Sequence, residues 1–166
     1  MTVVSEVIDA ESMLAGDESA YKSELRLWLR LLSATNLISS EIRRSLRQSF
    51  NITLPQFDLL AQLEREPNGL RLGELSQRMM VTNGNVTGLV DKLVEHGFVV
   101  REPSPNDRRA MNVRMTKAGA ALFAVMAKAN AGWMTKLFSD VPFEVHQALM
   151  RELDIVKRSV RSNSAS

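Results

Sequence analysis

The chain has 166 residues, 45% of them hydrophobic, so it is long enough and apolar enough to fold around a core of its own rather than remain disordered. It contains no cysteine, which excludes disulfide bonds, thiolate metal ligands and a cysteine nucleophile or redox sensor. The formal net charge is +2, and it is distributed unevenly along the chain.

Residues 1–20 are predicted to form a flexible acidic tail. They hold Glu6, Asp9, Glu11, Asp17 and Glu18 and no basic residue, so subtracting their charge of −5 from the total of +2 leaves +7 on the remainder. The tail has neither the basic start nor the apolar stretch of a secretion signal, and no apolar run approaches the roughly 20 residues that cross a bilayer. We therefore expect a cytoplasmic protein without a membrane partner. A basic body with an acidic tail is typical of polyanion-binding proteins, although a mildly basic solvated surface would carry the same charge.

Three helices are predicted between residues 21 and 79. The first covers residues 21–49, because apolar residues recur at helical spacing in the stripe Leu25, Trp28, Leu29, Leu32, Ile42 and Leu46. After "SFNITLP", a second helix is expected to start with Thr53 and Gln56 as a capping box and Pro55 in the first turn. Its inward residues are predicted to be Phe57, Leu60, Ala61 and Leu63. A short third helix follows "EPNGL" and is predicted to turn Leu72, Leu75 and Met79 inward.

The stretch "TNGNVTG" at residues 82–88 allows three interpretations. Asn83-Gly84 favours a two-residue β-turn, Asn85 to Thr87 fits a glycosylation sequon, and Thr82 fits the N-cap of a helix. A sequon has no meaning in a protein that is not secreted. The segments on both sides have helical rather than alternating patterns, with Val86, Leu89, Val90 and Leu93 as the inward stripe, so we predict a helix that ends at Gly97.

A β-hairpin and two further helices complete the predicted chain. The runs "FVVRE" and "MNVRM" read as strands joined by the basic link "PSPNDRRA". Thr116 is expected to cap the next helix, and "SDVP" separates it from the last one. The apolar stripe of the first of these helices is Leu122, Val125, Met126, Ala129, Trp133 and Leu137. The apolar stripe of the last helix is Val145, Leu149, Leu153, Val156 and Val160.

Two short helices followed by a hairpin make a winged helix-turn-helix. The predicted fold is therefore mostly α with a small β-hairpin wing, plus long N- and C-terminal helices. Because a compact module of about 60 residues cannot cover the stripes of the outer helices, we expect them to pair with a second copy. The predicted division is residues 1–20 as the tail, 21–50 and 118–161 as dimerisation helices, and 51–117 as the DNA-binding region.

The outer face of the fourth predicted helix suits the DNA major groove. On a helical wheel Gly84 and Gly88 point away from the apolar stripe, and glycine there lets the backbone approach bases and phosphates closely. Asn85 is suited to adenine N6 and N7, and Thr87 to a thymine methyl. The alternative is that the two glycines merely relieve packing or are tolerated. The predicted major-groove residues are Thr82, Asn83, Gly84, Asn85, Thr87, Gly88 and Lys92.

The hairpin carries four arginines within fourteen residues, namely Arg101, Arg108, Arg109 and Arg114. Arginine in a protruding hairpin suits the narrow, electronegative minor groove. We predict that Arg108 and Arg109 enter it, with Asp107 orienting Arg109 through a charge-assisted pair. A solvated surface turn is the alternative.

One segment resembles a known family. "DRRAMNVRMTKAG" is similar to the D-x-R-x-x-x-V-x-L-T-x-x-G signature of MarR-type transcriptional regulators, with Met115 where the family usually has Leu. The similarity in element order extends from about residue 21 to about residue 160. The resemblance implies a homodimer with interlocked outer helices that binds a pseudo-palindromic double-stranded DNA operator, most often as a repressor, and releases it when a small aromatic compound binds. It also implies that Arg109 is the wing arginine and Asp107 its orienting carboxylate.

A finer resemblance concerns residues 25–65, which look like members that regulate aromatic-acid degradation, some of them responsive to aromatic acyl-CoA thioesters. It implies an effector pocket that includes Trp28, Arg30 and Phe57, although core aromatics and a solvated arginine explain the same residues. We expect no enzyme activity, no cofactor and no metal site, because His96 and His146 lie fifty residues apart and no phosphate loop or nucleophile motif is present. The alternative function is a ligand-independent DNA-binding module or a winged helix used for protein contact.

Overall fold

The computed structural model of the protein describes residues 23–104 and 107–164, and for residues 104 and 107–110 it describes the backbone without the side chains. The predicted acidic tail, residues 1–20, lies outside the described residues. The described residues form two compact units, one ending at Lys128 and the other starting at Ala129. The helices are α1 Ser23–Phe50, α2 Leu54–Glu64, α3 Leu72–Met79, α4 Asn83–Glu95, α5 Lys117–Leu137 and α6 Phe143–Ser164, and the strands are β1 Leu70–Arg71, β2 Val99–Ser104 and β3 Asp107–Met115. None of these helices is both long and apolar enough to span a bilayer.

The three strands form one small antiparallel sheet, which confirms the predicted fold class. Its order is β1-β3-β2, with Leu70 opposite Val113 and Val99 opposite Met115. The sequence did not predict β1, because a two-residue strand has no alternating pattern to detect. The predicted link "PSPNDRRA" is shorter than expected, since both strands extend into it. Pro103 is tolerated there because β2 is an edge strand and its register shifts directly after this residue.

The ends of the central helices follow the predicted capping signals. Thr53 and Gln56 form the capping box of α2, in which the Thr53 amide donates to Gln56 Oε1 at 2.9 Å. At the end of α4, Gly97 has a φ of 73°, and the amides of Gly97 and Phe98 donate to the carbonyls of Val94 and Leu93. This pair of bonds is a Schellman motif, so the predicted stop at Gly97 is confirmed.

The core of the first unit combines α1 to α4, the sheet and the first half of α5. It consists of Ile42, Leu46, Ile52, Leu59, Leu60, Leu63, Leu70, Leu75, Val86, Val90, Leu93, Val99, Val113 and Met126. The predicted stripe of α1 is buried only at its C-terminal end, by Ile42 and Leu46. Leu25, Trp28 and Leu32 are exposed within the chain, because periodicity identifies the apolar face of a helix but not what covers it.

The second unit contains the end of α5 and all of α6. No residue of α6 is buried, and its predicted stripe residues Val145, Leu149, Leu153 and Val160 are exposed. His146 on α6 is half-buried. Its ring packs edge-on against Phe138, with 5.7 Å between ring centroids, and its Nε2 atom is buried.

Gly119 permits a close approach between the start of α5 and the end of the wing. Thr116 caps α5, because its Oγ1 accepts from the Gly119 amide at 3.0 Å and donates to the Gly97 carbonyl at 2.8 Å. A Cβ atom at position 119 would lie 2.0 Å from the carbonyl oxygen of Phe98. The glycine is therefore required by backbone contact rather than by backbone conformation.

We expect Gly119→Ala to lower the free energy of unfolding by about 1–3 kcal/mol, the usual range for overpacking, although alanine favours a helix. Urea denaturation measures the effect. Gly132→Ala in α5 is the matched control, because a Cβ there meets no atom within 4 Å, and this variant should be at least as stable as the parent. Equal stability of the Gly119→Ala and Gly132→Ala variants would contradict the close approach.

Candidate nucleic-acid interface

The stretch at residues 82–88 starts a helix, so the β-turn interpretation is wrong. Thr82 is the N-cap of α4, and its Oγ1 accepts from the Asn85 amide at 3.4 Å. Val86, Val90 and Leu93 are fully buried and hold one face of α4 against the core. The opposite face of the helix is therefore turned outward, as the wheel predicted.

Gly84 and Gly88 lie on this outward face. A Cβ atom added at either position would meet nothing within 4 Å. The two glycines therefore relieve no packing within the described chain. Each costs a helix about 1 kcal/mol relative to alanine. Their positions leave the backbone of this face open to an approaching partner.

A shallow groove of about 380 Å³ runs beside these glycines. It is lined by Pro55, Val81, Gly84, Asn85, Gly88, Leu89 and Lys92. A second depression of about 470 Å³ lies at the turn between α3 and α4 and shares Val81 and Asn85 with the first. Asn85 thus stands between two concave surfaces.

Most of the predicted major-groove residues lie together at this surface. Gly84, Asn85, Gly88 and Lys92 line the groove, Thr82 lines the second depression, and Asn83 is the first residue of α4. Thr87 is set apart, because it is half-buried and its hydroxyl donates to the Asn83 carbonyl at 2.9 Å.

Sequence reasoning missed three residues of the groove, namely Pro55, Val81 and Leu89. Leu89 was predicted to face the core, but it is only half-buried and forms a wall of the groove. Pro55 lies in the first turn of α2, about thirty residues earlier, and its proximity to α4 depends on tertiary packing. A weak signal existed for Leu89 alone, because it lies at the edge of the apolar stripe and directly follows Gly88.

Met80 forms the turn between α3 and α4. It adopts a left-handed conformation with a φ of 54°, and the amides of Met80 and Val81 donate to the Gln77 and Ser76 carbonyls. Its side chain is 92% exposed, so it contributes nothing to the core. This exposed side chain lines the second depression beside Thr82.

Two of the four wing arginines have carboxylate partners. Arg101 on β2 lies 2.6 Å from Asp91 on α4, so this ion pair joins the wing to the outward-facing helix. Arg114 on β3 binds both oxygens of Glu102 on β2, at 2.6 and 3.1 Å, and this hydrogen bonding lowers the pKa of the Glu102 carboxyl. Both arginines are therefore engaged in ion pairs.

The other wing residues start β3. The backbone of Asp107 pairs with Ser104, which places Asp107, Arg108 and Arg109 at the tip end of the hairpin. Their side chains lie outside the described part of the chain, so the predicted pairing of Asp107 with Arg109 stays a prediction.

The three predicted effector residues lie on α1 and α2. Trp28 and Arg30 are exposed on α1, whereas Phe57 is half-buried on α2 and its ring centroid lies 5.5 Å from that of Phe123. None of the three lines either of the two concave surfaces described above. The effector site stays a prediction.

Comparison with known proteins gives concordant matches. The sequence pattern of the MarR family matches residues 52–111 of this chain. The transcriptional activatory protein BadR of Rhodopseudomonas palustris is 33% identical over 160 residues, which cover 90% of each chain. The crystal structure of a MarR family transcriptional regulator from Silicibacter pomeroyi has 32% identity and a TM-score of 0.72, and the match covers 82% of this chain and 94% of that one.

A further similarity concerns the fold alone. Sco3205, a MarR family transcriptional regulator from Streptomyces coelicolor solved in complex with DNA, has a TM-score of 0.73 at 23% identity, covering 86% of this chain and 92% of that one. BadR and the Silicibacter pomeroyi protein are both transcriptional regulators, in agreement with the prediction that the chain is not an enzyme.

Proposed function

The chain belongs to the MarR family of transcriptional regulators, and from that premise we propose that it is a homodimeric repressor that binds a pseudo-palindromic operator and leaves it when a small aromatic acid or aromatic acyl-CoA binds. The observation that carries the proposal is the outward face of α4, where two glycines have open space beside them and a groove has Asn85 and Lys92 at its rim. A helix with such a face suits the major groove, which is about 12 Å wide.

Dimerisation is supported by apolar side chains that the single chain leaves exposed. They are Leu25, Trp28 and Leu32 on α1, Val125 on α5, and Val145, Leu149, Leu153 and Val160 on α6. Their helical spacing makes stripes, and stripes of this kind are normally buried against another element. We propose that a second copy covers them and that residues 21–50 and 118–161 form the dimerisation region, with residues 51–117 as the DNA-binding region.

Activation is a second candidate for the direction of regulation. The 33% identical relative BadR is described as an activatory protein, and its match covers 90% of this chain. A reporter placed behind the chain's own upstream DNA distinguishes the two directions. Deleting the regulator should raise expression if it represses and lower expression if it activates.

An aromatic effector is proposed from the sequence similarity of residues 25–65 to regulators of aromatic-acid degradation, and the Phe57–Phe123 pair offers a ring surface of suitable chemistry. An operator mobility shift challenged with aromatic acids and their CoA thioesters tests the idea. Acetyl-CoA is the matched control, because it keeps the nucleotide and lacks the ring. If no aromatic compound shifts the equilibrium, or if acetyl-CoA acts equally well, the proposed effector class is wrong.

The salt dependence of binding separates DNA recognition from a protein-contact role. Each phosphate that a basic side chain neutralises contributes about −0.9 to the slope of log K against log salt. For a dimer with about six or more phosphate contacts, we expect affinity for the selected operator to fall about 1000-fold between 50 and 200 mM salt. Fluorescence anisotropy with labelled operator measures the slope. A winged helix used for protein contact would show no sequence-selective retention of DNA at moderate salt.

A further inference from the structure

We propose that the groove beside Gly84 and Gly88 receives the 5-methyl group of an operator thymine, so that this protein reads at least one A·T pair in each half-site through an apolar contact. This inference rests on the proposed function, in which α4 enters the major groove. It assigns to the groove a role in specificity, and it identifies the base that the groove selects.

The chemistry of the lining favours a methyl group. Pro55, Val81 and Leu89 contribute apolar side chains, and the two glycines contribute bare backbone. In the major groove the four base pairs present hydrogen-bond donors and acceptors, and the thymine methyl is the one apolar group among them. A concave apolar surface therefore complements thymine and gives no partner to the polar edge of a G·C pair.

Two polar residues, Asn85 and Lys92, also line the groove. Asn85 is exposed beside the groove, and its backbone amide is fixed in the first turn by the Thr82 cap. Its side-chain amide has the donor and acceptor that adenine N6 and N7 require. Lys92 is exposed and positively charged, which suits a phosphate of the DNA backbone.

The glycines keep the groove open. No atom of the chain lies within 4 Å of a Cβ placed at Gly84 or Gly88, so side chains at these positions would project toward the space in which a base edge must fit. The absence of both side chains thus leaves room for a methyl group.

Replacing thymine with uracil removes the methyl and keeps Watson–Crick pairing. An operator is first selected from random DNA with the full-length dimer, and each thymine is then replaced by uracil in both half-sites. Burying one methyl group is worth roughly a fourfold change in affinity, so a symmetric pair of replacements should weaken binding about 15-fold at one position. Replacements at the remaining thymines should change affinity less than about twofold, which makes them internal controls.

Measuring the thymine-to-uracil effect again on a protein variant tests whether that effect arises in this groove. Gly88→Ala adds a methyl group inside the groove, so the variant should lose most of the discrimination between thymine and uracil at the sensitive position. The parent protein, titrated against the same pair of operators, gives the full discrimination for comparison. An operator without any uracil-sensitive position, or a Gly88→Ala variant that still discriminates, would overturn the inference and leave the proposed function standing. If the selection enriches no sequence, both fail.

Discussion

Replacing Arg109 with alanine is expected to weaken operator binding about 30-fold or more and to leave the melting temperature and the dimer unchanged. Arg101 and Arg114 are already paired with Asp91 and Glu102, so Arg108 and Arg109 at the tip are the proposed cations that reach DNA. A specific arginine contact is worth about 1–3 kcal/mol, and a homodimer makes it twice. Fluorescence anisotropy gives the affinity, and thermal unfolding gives the stability.

Arg114→Ala is the matched control for this result. It removes an arginine from the same strand, but one whose ion pair with Glu102 is exposed and screened by solvent, so its loss should change stability little. This control should bind the operator nearly as well as the parent. Arg109→Lys keeps the charge and loses the planar guanidinium, so it should recover only part of the affinity. A fall in melting temperature for Arg109→Ala as large as the fall in binding would instead make Arg109 a structural residue.

The ion pair between Asp91 and Arg101 bears on how the two proposed DNA-contacting elements act together. It joins the outer face of α4 to the base of the wing with an N–O distance of 2.6 Å. Asp91 carries the same sign of charge as a phosphate, so its pairing with Arg101 also neutralises it near the proposed interface. The pair therefore links the two elements that we propose to enter the two grooves.

Local signals in the sequence were sufficient to predict most helix ends. The caps at Thr53, Thr82 and Thr116 and the stop at Gly97 each depend on backbone groups within a few residues, so they can be read from short segments. The order of these elements, together with the D-x-R signature, was enough to predict the fold class.

Features that depend on distant residues could not be read in this way. The strand β1 exists because Leu70 pairs with Val113, which lies more than forty residues further along the chain. The exposure of Trp28 cannot be predicted from periodicity. The spacing of apolar residues is the same whether their own chain or a second copy covers them. The outward position of Gly88 was predicted from the wheel, but the groove beside it needs Pro55 of another helix.

Gly88→Leu should weaken operator binding about 30-fold or more while it stabilises the isolated protein. Leucine is a better helix former than glycine by nearly 1 kcal/mol, and a Cβ at position 88 meets no atom of the chain within 4 Å, so unfolding should occur about 2–4 °C higher. The same side chain would occupy the groove, and crowding of this kind costs about 1–3 kcal/mol at each half-site.

Opposite changes in stability and affinity are the diagnostic result, because a misfolded variant would lose both. Gly88→Ala should fall between the parent and Gly88→Leu in operator affinity and should also be more stable than the parent. Thermal unfolding and anisotropy titrations on the same preparations measure the two quantities. Unchanged operator affinity in Gly88→Leu would show that this face of α4 does not meet DNA, and the helical cost of Gly84 and Gly88 would then need another partner to explain it.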